Sequence, residues 1–196
     1  IIPDTEEGVI FNGCYGELNG GAVSAIASGE IGTVLIQDLV SNNCSVMEGN
    51  GGHISLISQG SDQSVSQNLQ VEHSAFENAN VEPAGNDGGV IYYKTNGDIS
   101  SINISNTSFE IFKIFGDGGG LFFEAKSIGL IDVFHSGFYS LKSLDAMGGA
   151  VYMKAFDGNI GQVINSQCIF SGCSAKLDGG AFYAEASKEI GSITFD

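Results

Sequence analysis

The chain has 196 residues, 42% of them hydrophobic, with 29 glycines, two prolines and a formal net charge of −16 from 23 acidic residues against seven lysines and no arginine. That apolar content suffices for a packed core, which excludes a disordered chain, and the lack of a Gly-X-Y period excludes collagen. Such acidity repels phosphate backbones and anionic lipid, so neither nucleic acid nor a membrane surface is an expected partner.

From the N-terminus, Phe11 and Cys14 open a pattern that recurs along the chain. The glycine pair Gly20-Gly21 follows, then the alternating run Ala22-Val23-Ser24-Ala25, then Ile31-Gly32-Thr33-Val34. Ser41 and Cys44 next take the places of Phe11 and Cys14, and Gly51-Gly52 starts another unit. That second unit matches loosely at Ser66 and Leu69 before Phe76 and Ala79 restore the pattern. Three regular units come after it, from Gly88-Gly89, Gly118-Gly119 and Gly148-Gly149. They carry Ile99 and Ile102, Ile128 and Ile131, and Ile160 and Val163, then Phe109 and Phe112, Phe138 and Leu141, and Phe170 and Cys173. Gly179-Gly180 and Ile190-Gly191-Ser192-Ile193 complete the series. Successive glycine pairs lie 31, 37, 30, 30 and 31 residues apart, and the long interval is assigned to loop insertions near 59–66 and 80–87.

Apolar residues alternate inside each unit, as in Val90-Ile91-Tyr92-Tyr93 and Ile131-Asp132-Val133, and no useful stretch keeps a helical period. Period two means strands. Units of ~30 residues with three short strands and glycine corners predict an all-β, single-stranded parallel β-helix of about six coils, one domain over 1–196. With no initiator methionine and with Asp196 inside a unit, the chain reads as a processed or partial segment. No apolar run approaches the ~18 residues of a spanning helix, and no signal peptide opens the sequence.

Stacked coils turn equivalent positions into columns. Val23, Ile54, Ile91, Leu121, Val151 and Phe182 should point inward; by alternation Ser24, Ser55, Tyr92, Phe122, Tyr152 and Tyr183 should point outward. Tyr92, Phe122, Tyr152 and Tyr183 are then expected as an exposed aromatic stripe, a candidate binding face for sugar rings or a partner protein. Lys94, Glu124, Lys154 and Glu185 alternate in sign two residues on, which suits cross-strand pairing.

The signs of chemistry are weak. His73 and His135 share a polar column with Asp38, Asn106 and Gln167, but Asn106 sits between them, so they are two rungs or ~9.6 Å apart, too far for one zinc ion. His53 reads as a turn residue. Asp87, Asp117 and Asp178, like Asn19 and Asn50, precede glycine pairs and read as turn residues bonding their local backbone, not as calcium ligands. No carboxylate cluster interrupts the repeat, and no nucleophile motif or cofactor fingerprint is present, so no enzyme activity and no cofactor are expected. Cys14 and Cys44 share a column in adjacent coils, within the reach of a disulfide; Cys168 and Cys173 form a second candidate pair. Buried free thiols are the alternative for both. Asn43 and Asn103 head exposed N-glycosylation sequons, and a third begins at Asn106.

Gly20-Gly21-Ala22-Val23, Gly148-Gly149-Ala150-Val151 and, more loosely, Gly179-Gly180-Ala181-Phe182 resemble the GGA[ILV] motif of chlamydial polymorphic outer membrane proteins and their protist relatives. The family's companion FxxN motif is replaced by Phe11-Asn12-Gly13-Cys14, Phe76-Glu77-Asn78-Ala79 and Phe170-Ser171-Gly172-Cys173. The resemblance implies a right-handed β-helix displayed at the cell surface and acting in adhesion. Extracellular or cell-surface placement is therefore expected, with glycans or surface proteins as partners. The alternatives are a structural subunit that self-associates end to end or laterally into a filament and, further off, a polysaccharide lyase or glycoside hydrolase.

Overall fold

The computed structural model describes residues 8–47, 49–61, 65–80 and 87–196, with the side chains of 79, 80 and 111 outside the description. The described regular elements are all β-strands, and all their pairings are parallel, each strand bonding to its equivalent one coil on. The glycine sheet holds Val23–Ala27, Ile54–Ser58, Ile91–Thr95, Leu121–Ala125, Val151–Ala155 and Phe182–Ala186. The isoleucine sheet holds Thr33–Gln37, Gln67–Glu72, Ile99–Ser105, Ile128–Phe134, Ile160–Ser166 and Ile190–Phe195. The phenylalanine sheet runs from Val9–Asn12 through Leu39–Asn42, Ala75–Asn80, Ser108–Ile114 and Gly137–Ser143 to Ile169–Ser171 and Ser174–Ala175. Together they make a β-solenoid of about six turns, as the repeat predicts. Of the expected insertions, residues 62–64 and 81–86 lie outside the described residues.

Three corners per coil use left-handed backbone, and this requirement explains much of the repeat. At the first corner Gly20, Gly51, Gly88, Gly118, Gly148 and Gly179 have φ between 58° and 71°. Their partner glycine is needed for a different reason: a Cβ on Gly119 would run into the carbonyl oxygen of Gly149 in the next coil. The second corner falls at Asp38, His73, Asn106, His135 and Gln167, with φ from 48° to 55°. Asn, Asp and His tolerate this region better than most residues with a side chain, so the polar column is first of all a corner. The third passes through Gly13, Asn43, Asn78, Ser140 and Gly172.

Inside, like stacks on like. Phe76, Phe109, Phe138 and Phe170 are piled with ring centroids 5.4, 4.9 and 4.7 Å apart and nearly parallel planes. Irregular rungs are compensated by neighbours. Ser41 replaces phenylalanine in this column, and the space is taken by His53, which is fully buried and meets Phe76 and Phe112 edge-on. His53 is thus a core residue rather than a turn residue. Its Nδ1 lies 2.5 Å from Ser41 Oγ, and burial pushes the imidazole down to about 3, so it is neutral.

The loose match in the second unit also resolves. Gln67, not Ser66, stands opposite Ile99, with a register shift directly after it. Its buried amide donates to Thr95 Oγ1 (2.9 Å) and accepts from the Tyr93 hydroxyl (3.3 Å). A buried amide survives in this apolar column because both ends are bonded.

Candidate ligand-binding groove

Alternation places the Tyr92, Phe122, Tyr152 and Tyr183 column on the side away from the main core, and the rings do stack, with centroids 4.8, 5.0 and 5.3 Å apart. The stripe is nonetheless not exposed. Tyr92, Phe122 and Tyr152 are only 4%, 2% and 3% accessible, and with Ile57, Met147 and the partly buried Tyr183 they form a second small core. Alternation fixes which side of a strand a residue takes, not what lies over it. Here the chain covers its own sheet: Met147, in the turn just before Gly148, and Ile57 pack against the rings. Burial raises the Tyr92 and Tyr152 phenols well above their ordinary range. This face is packing and offers a ligand no platform.

The same turns correct the reading of the acids before them. Asn19, Asn50, Asp87 and Asp117 each use Oδ1 to accept a backbone N–H from the next coil, at Asn50 (3.1 Å), Asp87 (2.8 Å), Asp117 (2.8 Å) and Met147 (2.8 Å). They tie coil to coil rather than closing their own turn. The charge column pairs as expected, Lys94 with Glu124 at 2.6 Å and Lys154 with Glu185 at 3.1 Å. Such half-exposed pairs add little stability.

An accessible concavity lies at the second corner instead. Its rungs begin with His73, Asn106, His135 and Gln167, all exposed, and Asn106 Nδ2 is 3.5 Å from His73 Nε2. Beneath them a hydroxyl column turns the chain: Ser74, Thr107 and Ser136 donate to the carbonyls of Glu72, Ser105 and Phe134. Next comes the outward column Ala75, Ser108, Gly137 and Ile169. Gly137 has no side chain, and the phenol ring of Tyr139 folds back over it. The result is a hollow of about 190 Å³ walled by Asn106, His135, Gln167, Tyr139 and Ile169. Phe134 stacks on His135 beside it, 4.7 Å away, and is 40% exposed.

Sequence reasoning found the His73–Gln167 ladder but missed Gly137 and Tyr139. The signal was available: glycine follows Ala75 and Ser108, and Tyr139 follows Glu77 and Glu110, two breaks in adjacent columns of one coil. A neutral, polar and aromatic hollow can hold a ring that offers hydroxyls at its rim and C–H groups on its face.

The four cysteines are free thiols. Cys14 and Cys44 lie near enough to interact, whereas Cys168 donates to the carbonyls of Val133 and Ser166, and Cys173 to those of Phe138 and Ser171. The geometry therefore assembles one of the two expected pairs. Asn43 is exposed at a left-handed corner and Asn103 is half-buried, 3.5 Å from Ser101 Oγ. No described helix is long and apolar enough to cross a membrane. No family model, no curated protein and no solved structure matches the chain.

Proposed function

We propose that this chain is a binding scaffold of the extracellular space or cell surface, and that the Tyr139 groove takes a residue of a neutral glycan. One observation carries the reading: a half-buried tyrosine ring over a missing side chain, flanked by Asn106, His135 and Gln167 in successive rungs. A pyranose places its C–H face on an aromatic ring and its hydroxyls on such amide and imidazole groups. The net charge of −16 disfavours polyanionic sugars, which leaves neutral ones. The surface placement draws support from the GGA[ILV] resemblance and from the exposed sequon at Asn43.

Glycan-array screening followed by titration tests this. Tyr139→Ala should weaken binding about tenfold or more, and Gln167→Ala by less, because stacking provides most of the contact. Absence of any glycan binding, or binding indifferent to both substitutions, overturns the reading.

A further inference from the structure

The first two coils hold a group of buried side chains that neither the groove nor the repeat requires. The pairs Asn12–Asn42 and Tyr15–Ser45 are in register, Gly13 N–H donates to Asn42 O at 2.9 Å, and Ser45 N–H donates to Cys14 O at 2.9 Å. Cys14 and Cys44 are therefore held one directly above the other by hydrogen bonds on both sides. Adjacent rungs are ~4.8 Å apart, inside the ~4.4–6.8 Å Cα window of a disulfide. The two side chains are near enough to interact. Cys44 is fully buried, Ser41 Oγ donates to its sulfur at 3.4 Å, and His53 backs Ser41. Cys14 is partly accessible and so open to an oxidant.

We infer that Cys14 and Cys44 are the site of an inter-coil disulfide that staples the first described turns of the solenoid. The oxidant is a small-molecule disulfide such as oxidised glutathione. The Cys14 thiolate attacks one of its sulfurs and expels a thiolate, giving a mixed disulfide. The Cys44 thiolate then displaces the second glutathione. One protein S–S bond forms, two protein S–H protons are released, and the external disulfide takes up the two electrons as two glutathione thiols. Burial and the neighbouring Cys44 push the Cys14 thiol up, so the reaction accelerates with rising pH. Cys168 and Cys173 take no part, since each thiol is turned to different carbonyls.

The test uses the whole chain, purified reduced and then held in a glutathione redox buffer at pH 8. Trapping of remaining thiols with iodoacetamide and peptide mapping should count two in place of four, with one bridge joining the peptides of Cys14 and Cys44. Cys168→Ser should leave that bridge intact, and Cys44→Ala should abolish it. The oxidised wild type should melt about 5 °C or more above the reduced form. Four thiols remaining free, a Cys168–Cys173 bridge, or bridges only between molecules would each overturn the assignment. Mapping on the wild type decides the matter even if Cys44→Ala does not fold.

Discussion

The Oδ1 atom of Asp87 receives the backbone N–H of Asp117 at 2.8 Å, the same service that Asn50 performs for Asp87 one coil earlier. A neutral amide and a carboxylate thus fill one role, but only the carboxylate resists being withdrawn from water. Burial raises Asp87 to about 6, partly offset by that N–H and worsened by the Asp117 and Glu124 charges. A raised acid contributes stability that is complete below its unfolded value of 3.8 and is lost as pH climbs through about 6. Asp87→Asn should therefore stabilise the protein at pH 7.5 by on the order of 1–2 kcal/mol, allowing for partial solvent screening. The advantage should fade to nothing near pH 3.5, where both side chains are neutral. Paired thermal melts across that range check it; an advantage that persists at pH 3.5 would point to another cause.

At the scale of the strand and its corner, the glycine pairs divide their labour. Gly118 supplies a left-handed φ of 68°, and Gly119 supplies room against the backbone of the next coil. Gly119→Ala should cost about 2–4 kcal/mol by forcing coils apart at that corner, and chemical denaturation would measure it. A cost under 0.5 kcal/mol would mean that the corner yields. This element is the part of the fold most legible in the sequence, because repetition multiplies each steric demand sixfold. The phenylalanine column was equally plain. Less legible were the rungs where one misfit answers another, Ser41 with His53 and Gln67 with Tyr93 and Thr95. Those partners lie 12, 26 and 28 residues apart, and no local pattern links them. The groove was half visible. Its ladder followed from column alignment, but the folding back of Tyr139 over Gly137 is a side-chain event without a periodic signature. The aromatic stripe was misjudged because exposure depends on a neighbouring turn.

Over the whole molecule, each coil touches only its neighbours, so stability is close to a sum of coil and interface terms. Those terms are unequal. The central strands Ile91–Thr95, Leu121–Ala125 and Val151–Ala155 have both flanking rungs filled, while every residue of Ile190–Phe195 is exposed. Asn165 weakens that last interface further. It occupies the inward column between Val133 and Phe195, is 2% accessible, and neither its amide nitrogen nor its oxygen finds a partner. Opening the final coil lets water reach this side chain, so the unmet hydrogen bonds favour opening by about 1–3 kcal/mol. Native-state hydrogen exchange should accordingly be fastest in Ile190–Phe195 and slowest in Ile99–Ser105 and Leu121–Ala125. Asn165→Val, which restores the residue type of Val133, should slow exchange in Ile190–Phe195 about tenfold or more while leaving Leu121–Ala125 unchanged. Uniform protection along the stack, or a substitution effect felt equally in every coil, would mean that the solenoid opens all at once rather than from its end.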